Sequence, residues 1–203
     1  MTTSIRSGRL CRCAWVLVAT LILLAGSPAE AQIEEGKWMG EVFGGSYSPG
    51  PDDVLDDEST FGLRAITMVT PKLAVVASVS TVNFEDRVSD GGTTVEFDTD
   101  VLFIDLSVGY VFRPDKRVNI ALGGGIGGAF SSTDGSFSSP AVRGFFDDFD
   151  ESSLTLSVVV GPVFHLSDRI YLKPLVRARW FENRDDDETD LETTLALGYK
   201  FGG

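Results

Sequence analysis

The chain has no cysteine beyond residue 13, a single histidine (His165), and 17 Lys and Arg against 30 Asp and Glu. Cys11 and Cys13 precede an apolar run, and nothing after them can build a disulfide framework or a thiolate metal site. A net charge of −13 provides no basic patch of the kind that binds nucleic acid. After residue 31 no apolar stretch approaches the ~20 residues that a membrane-spanning helix needs. That absence excludes a helical span only, because a closed barrel of strands also satisfies its own backbone in lipid.

The first 31 residues carry the pattern of an export signal. Arg6, Arg9 and Arg12 form a positive start, Ala14 to Ala25 an apolar run, and Ala29-Glu30-Ala31 a small-residue cleavage site. The expected division is a signal peptide over 1–31 and one β-barrel domain over 32–203, with the mature chain starting near Gln32. Losing three Arg and Glu30 with the signal leaves the remainder two charges more acidic than the whole.

What the remainder has in abundance is period-two alternation. Eight segments, near 38–47, 60–70, 72–83, 98–112, 117–130, 153–165, 169–181 and 190–201, read as strands separated by turn signals. Along 101–112, Leu102, Ile104, Leu106, Val108, Tyr110 and Phe112 share one face, and Asp105, Ser107 and Gly109 the other. Short connections at Thr70-Pro71-Lys72, Arg113 to Lys116 and Leu166-Ser167-Asp168 alternate with long polar ones near 48–59, 84–97, 131–152 and 182–189. That alternation is the layout of membrane barrels, with short turns on the periplasmic side.

The chemistry of the two faces separates a membrane barrel from a soluble one. A soluble barrel shows water long polar side chains. Here the polar faces are mostly Gly, Ala, Ser, Thr and Asn with a few charges, sizes that suit the crowded interior of eight strands. The opposite faces are large and apolar. Trp38, Tyr110, Phe112, Phe164, Tyr171, Tyr199 and Phe201 are expected near one rim, and Phe61, Phe97, Phe130 and Trp180 near the other, as two aromatic girdles. The expected fold is an all-β, eight-stranded, antiparallel up-and-down transmembrane β-barrel.

With this rhythm and the ending Leu197-Gly198-Tyr199-Lys200-Phe201, the sequence resembles the small outer-membrane β-barrel domain family, the eight-stranded group that includes the transmembrane domain of outer membrane protein A. The resemblance covers about residues 38–201. It implies a bacterial outer-membrane location, contact with the bilayer and lipopolysaccharide, handling by the barrel-insertion machinery, and a monomeric, non-enzymatic protein. Gly202 and Gly203 follow the final aromatic, a departure from the family's C-terminal signal.

Charged residues on the polar faces are Glu41, Arg64, Asp105, Lys173, Arg177, Arg179, Glu192 and Lys200. Inside a lumen they need partners. A structural network is expected in which Arg64, Arg177 and Arg179 pair mainly with Asp105 and Glu192, since a guanidinium can grip a carboxylate in two places. No catalytic, cofactor or metal site is expected. Three acidic clusters, Asp52 to Glu58, Asp147 to Glu151 and Asp185 to Asp190, fall on the long loops. They read as solvated charge with at most weak Ca²⁺ or Mg²⁺ affinity, and none has the spacing of an EF-hand.

Three short motifs point elsewhere and lack their context. Gly123, Gly125 and Gly128 match a dinucleotide fingerprint, but inside a strand with no helix after it. His165-x-Ser167 is similar to a motif of the lipid A deacylase family, yet falls in a short turn on the periplasmic side. Gly36-Lys37-Trp38 resembles the start of lipocalins, which are soluble barrels. The functional expectation is a structural or surface-display protein with acidic outer loops, serving adhesion or envelope integrity. The alternatives are a narrow pore for small solutes and a lipid-modifying enzyme. A folded barrel should migrate differently on electrophoresis before and after boiling; identical mobility in both lanes would contradict a compact barrel.

Overall fold

The computed structural model describes residues 35–50, 57–90, 93–138, 143–182 and 189–201. The segment expected as a signal peptide lies outside them, as do Asp52, Asp53, Asp56, the run 185–188, Gly202 and Gly203. Eight strands run β1 (Trp38–Ser48), β2 (Glu58–Met68), β3 (Leu73–Asp90), β4 (Thr93–Phe112), β5 (Val118–Ser138), β6 (Arg143–His165), β7 (Ile170–Phe181) and β8 (Asp190–Phe201). Each pairs antiparallel with its sequence neighbour, and β1 pairs β8, so the sheet closes into an up-and-down barrel. Among the described residues no helix is long and apolar enough to cross a membrane, which says nothing against crossing by strands.

Local chemistry sets the tight turns. Thr70 Oγ1 accepts from the backbone N–H of Lys72 and Leu73 at 3.2 and 3.0 Å, and Ser167 Oγ accepts from Arg169 and Ile170 at 3.3 and 3.0 Å. These are the side-chain turns that Ser and Thr favour. Ser167 is thus engaged by the turn's own backbone. His165 is not part of that turn, contrary to expectation. It is the last residue of β6 and is buried, with Nε2 3.0 Å from Nδ2 of Asn119.

The alternation resolves into an inside and an outside. Along β8 burial switches at every residue, with Asp190, Glu192, Thr194, Ala196 and Lys200 in and Leu191, Leu195, Leu197, Tyr199 and Phe201 out. Leu102, Leu122 and Leu195 are 41–45% exposed on the outer surface, whereas Asp105 is 3% exposed. Outward apolar residues run from Leu102 to Phe112 on β4, from Leu154 to Phe164 on β6 and from Leu191 to Phe201 on β8, eleven residues in each case. At about 3.3 Å per residue and a tilt of about 40°, such a band stands about 25 Å tall, the height of the hydrocarbon-facing band of outer-membrane barrels. In water, so large a continuous apolar surface would drive aggregation. Trp38 of the lipocalin-like triplet belongs to this outer surface, at 58% exposed.

The strands differ from expectation at their outer ends. Two of the expected long loops, 84–97 and 131–152, are mostly ladder: β3 pairs β4 from Leu73↔Tyr110 up to Asp90↔Thr93, and β5 pairs β6 up to Ser138↔Arg143. Beyond the lipid both faces of a strand meet water, so the apolar alternation that marks a strand in the sequence stops while backbone pairing continues. Asp147, Asp148, Asp150 and Glu151 therefore belong to β6. Asp190, expected in a loop cluster, is buried at the start of β8, where it accepts from Tyr47 Oη and, at 2.9 Å, from the Gly50 N–H.

The rim assignment needs two corrections. Phe97 lies five residues beyond Leu102 in the extended ladder, paired with Gly135, and shares the parity of the inward Phe103 and Asp105, so it does not belong to the outer girdle. Tyr171 is 2% exposed and faces inward, so it does not belong to the periplasmic girdle with Tyr110, Phe112, Tyr199 and Phe201. Counting by twos from Lys173 puts it on the lumen side. Replacing Leu106, midway along the band on β4, with Arg should cost about 2–4 kcal/mol in unfolding from lipid vesicles. The same change at Leu102, nearer the outer edge, should cost less. Equal, negligible costs at both positions would contradict the lipid-facing assignment.

Candidate functional site

The interior is filled in three layers. Toward the short-turn end, Met39, Ile66, Met68, Ala74, Val111, Val163 and Tyr171 form one apolar cluster. Toward the other end, Tyr47, Val82, Phe84, Phe103 and Ala129 form a second. Large apolar side chains thus fill both ends of a lumen expected to hold mainly small and ionic ones. The β-barrel interior is too narrow for a bed of ions alone; rings and aliphatic chains complete its packing.

Between the clusters lie Glu41, Arg64, Asp105, Lys173, Arg177, Arg179 and Glu192, all buried. They come from β1, β2, β4, β7 and β8. Register explains several contacts directly, because Glu41 is opposite Arg64 across β1–β2 and Arg177 is opposite Glu192 across β7–β8. Asp105 reaches across the lumen. Its Oδ1 accepts from Arg179 Nη1 at 2.6 Å, and its Oδ2 accepts from Arg179 Nη2 at 2.9 Å and from Arg177 Nη1 at 2.7 Å. The Arg179 contact is the two-pronged grip that the guanidinium fork permits. Ser78 Oγ adds a fourth donor to Asp105 at 3.2 Å.

Glu192 accepts from Arg179 Nη2 at 3.2 Å and lies 3.5 Å from Arg177 and 3.8 Å from Arg64. Arg64 is closer to Glu41, at 3.4 Å, than to Glu192, and it donates to Thr194 Oγ1 at 3.3 Å. Its main partner is therefore the carboxylate opposite it on the neighbouring strand. Glu41 also pairs with Lys173 and accepts from Tyr171 Oη at 2.9 Å. Two rings bound the layer: the guanidinium carbon of Arg64 sits 3.6 Å from the Phe43 ring centroid, and that of Arg179 sits 4.2 Å from that of Phe103. Such cation–π contacts strengthen when desolvated.

Tyr171, Phe43, Phe103, Ser78 and Thr194 are partners that charge-based reading of the sequence overlooks. All but Ser78, whose strand carries none of the charged lumen residues, lie two residues from a charged lumen residue on their own strand, so parity was the available signal for them. Two glycines make room for the layer. A Cβ on Gly127 would collide with the Asp105 carboxylate, and one on Gly198 would collide with the Tyr171 ring. Among the described residues no group of three or more His, Cys, Asp or Glu is placed to hold a metal ion.

A closed eight-stranded barrel with an apolar outer band and a filled, ionic interior has a counterpart among known families. The family model for the outer membrane protein beta-barrel domain matches residues 16–201. The chain belongs to this family. Members of the outer membrane protein beta-barrel domain family sit in the bacterial outer membrane, and that is where this chain resides. Solved structures agree on the fold. Neisserial surface protein A, from Neisseria, aligns with a TM-score of 0.57 at 14% identity, covering 82% of this chain and 100% of that one. The attachment invasion locus protein of Yersinia pestis, in complex with the heparin analogue sucrose octasulfate, aligns at 0.54 and 19%, covering 82% and 99%. The N-terminal β-barrel domain of OprF from Pseudomonas aeruginosa aligns at 0.53 and 10%, covering 83% and 100%. At these identities the likeness establishes the fold. Comparison with curated proteins gives no significant match.

Asp105→Ala removes the carboxylate that accepts three of the hydrogen bonds donated by Arg177 and Arg179 and leaves Glu192 to serve both. Removing one partner from a buried ion cluster costs about 3–5 kcal/mol. Unfolding in urea from vesicles should show a loss of that size. Asp115→Ala, at an exposed turn where the carboxylate pairs with the exposed Lys116, should behave as wild type. A wild-type midpoint for the Asp105 variant would remove the layer from the stability account.

Proposed function

We propose that this family member is a non-conducting, non-enzymatic barrel that displays acidic hairpins at the cell surface, for adhesion or envelope integrity. The observation that carries the reading is the ionic layer held between two apolar clusters. Ions crossing such a lumen would have to displace bidentate partners in a low-dielectric setting, where unpaired charge is costly. This supports a structural role for Glu41, Arg64, Asp105, Lys173, Arg177, Arg179 and Glu192, and it counts against a pore.

Surface display draws support from the tall side of the barrel. β3 to β6 have 18, 20, 21 and 23 residues, whereas β1, β2, β7 and β8 have 11 or 12. The excess lies at the end opposite the short turns and carries Glu85, Asp86, Asp90 and the acidic run of β6. Like charge on extended hairpins favours a partner of opposite sign. The Yersinia pestis protein was crystallised with a polyanionic heparin analogue. The acidic hairpins here favour a basic partner instead. An enzymatic role through His165 and Ser167 is disfavoured, because the His side chain meets Asn119 in the lumen and Ser167 caps a turn. The reading includes export by the signal at 1–31, a mature domain over 32–203, insertion by the barrel machinery, contact with lipopolysaccharide, and a monomer.

Two measurements test it. In planar bilayers the intact protein should show no steady open conductance; a large, sustained current would overturn the closed-lumen reading. Deleting 131–152 joins Phe130 to Ser153 at a level where Phe130 already pairs with Ser152. The shortened barrel should keep its heat-dependent mobility but lose adherence of cells to basic surfaces. Unchanged adherence would count against display by that hairpin.

A further inference from the structure

The two ends of the barrel differ in charge. Among the described residues, the short-turn end carries Lys37, Lys72, Arg113, Lys116, Arg117 and Arg169 against Glu35, Asp115 and Asp168. Carboxylates dominate the opposite end: the outer parts of β3 and β4 alone hold Glu85, Asp86, Asp90, Glu96, Asp98 and Asp100 against Arg87. A chain with a net charge of −13 thus ends in a basic ring on its periplasmic side. Next to that ring sits the aromatic girdle of Tyr110, Phe112, Tyr199 and Phe201, so the cations stand at the level of lipid headgroups.

The apolar band beside this ring is not smooth. A groove of about 840 Å³ lies on the outer wall of β1, β2, β3 and β8. Its floor is Gly40, Ala65 and Ala77, which stand opposite one another across β1–β2 and β2–β3. All three share the outward parity of the exposed Val42, Leu63 and Val79. The groove begins at Ile170 and Tyr199 beside the rim and rises obliquely to Ile104 on β4. Arg169 marks its lower mouth. It is exposed, directly precedes Ile170, and donates from Nη1 to Tyr199 Oη at 3.4 Å.

In a bilayer such a hollow must be filled, or its walls forfeit their dispersion contacts. A second barrel is a poor filler. It is rigid, its own basic ring would come against this one, and apolar surfaces in lipid gain no hydrophobic drive toward each other. A flexible acyl chain can follow the groove. We infer that the groove and Arg169 form a binding site for an acidic phospholipid of the periplasmic leaflet. One acyl chain lies over Gly40, Ala65 and Ala77, and the guanidinium beside Tyr199 takes the phosphate. The surrounding basic ring favours a headgroup of net negative charge over a zwitterionic one. The site faces the bilayer, so it is independent of whether the lumen conducts or the hairpins mediate adhesion.

Phosphatidylglycerol and phosphatidylcholine with identical acyl chains separate headgroup charge from chain filling. The full chain, folded in a non-ionic detergent, is titrated with each lipid and observed by native mass spectrometry. It should retain phosphatidylglycerol about fivefold more tightly than phosphatidylcholine. Arg169→Gln should weaken phosphatidylglycerol by about fivefold. Ala65→Leu, which fills the groove, should lose both lipids. Ala178→Leu, outward on β7 but outside the groove, should leave both unchanged. Each variant is verified as folded by heat-dependent mobility. Equal retention of the two lipids would overturn the proposal, as would unaltered phosphatidylglycerol binding in either the Arg169 or the Ala65 variant. A lipid-free dimer would give the groove to a second copy and overturn it as well.

Discussion

Closure of β1 onto β8 is the constraint on which the rest of the molecule depends. In hydrocarbon no solvent is available to satisfy an open strand edge, and each unpaired backbone group there costs several kcal/mol. Ten residues of β1 pair with β2, from Trp38↔Thr67 to Tyr47↔Glu58, and the same stretch pairs on its other side with β8. Once the ring is closed, every second side chain must point inward. Eight strands leave space only for side chains, so whatever lies inward must fill that space and satisfy itself.

The ionic layer is the solution at mid-height. Asp105 is central because it lies on β4 and meets two arginines from β7, a pair of strands that do not touch in the sheet. Contacts between adjacent strands are dictated by register; this one ties opposite walls together. Gly127 on β5 leaves the room that the carboxylate occupies. The contacts that satisfy the buried charges are also the ones that fill the bore at this height.

Much of this was legible in the sequence. Period-two alternation on β4, β5 and β8 located strands and faces, because one side of each ribbon meets lipid and the other a polar interior. The charged residues at 41, 64, 105, 173, 177, 179 and 192 stood out as the few ions on otherwise small faces. Less legible were Tyr171, Phe43 and Phe103, which face inward. Aromatic residues serve girdles and interiors alike, and only parity within the strand separates the two uses. The strand extensions over 84–97 and 131–152 were hidden for another reason. Polar residues dominate where both faces are wet, and the backbone bonds that hold a ladder there leave no signature in side-chain hydropathy. Which carboxylate each arginine prefers depended on strand register, which composition does not encode.

The unequal strand lengths have a mechanical meaning. The tall hairpins of β3–β4 and β5–β6 share an unbroken backbone ladder across β4–β5 with the part of the wall anchored in lipid. They are masts stepped into the hull rather than tethers trailing from it. A partner meeting them finds a backbone already ordered, so little conformational entropy is lost on contact. Any pull on the masts is delivered straight into the bilayer-embedded staves.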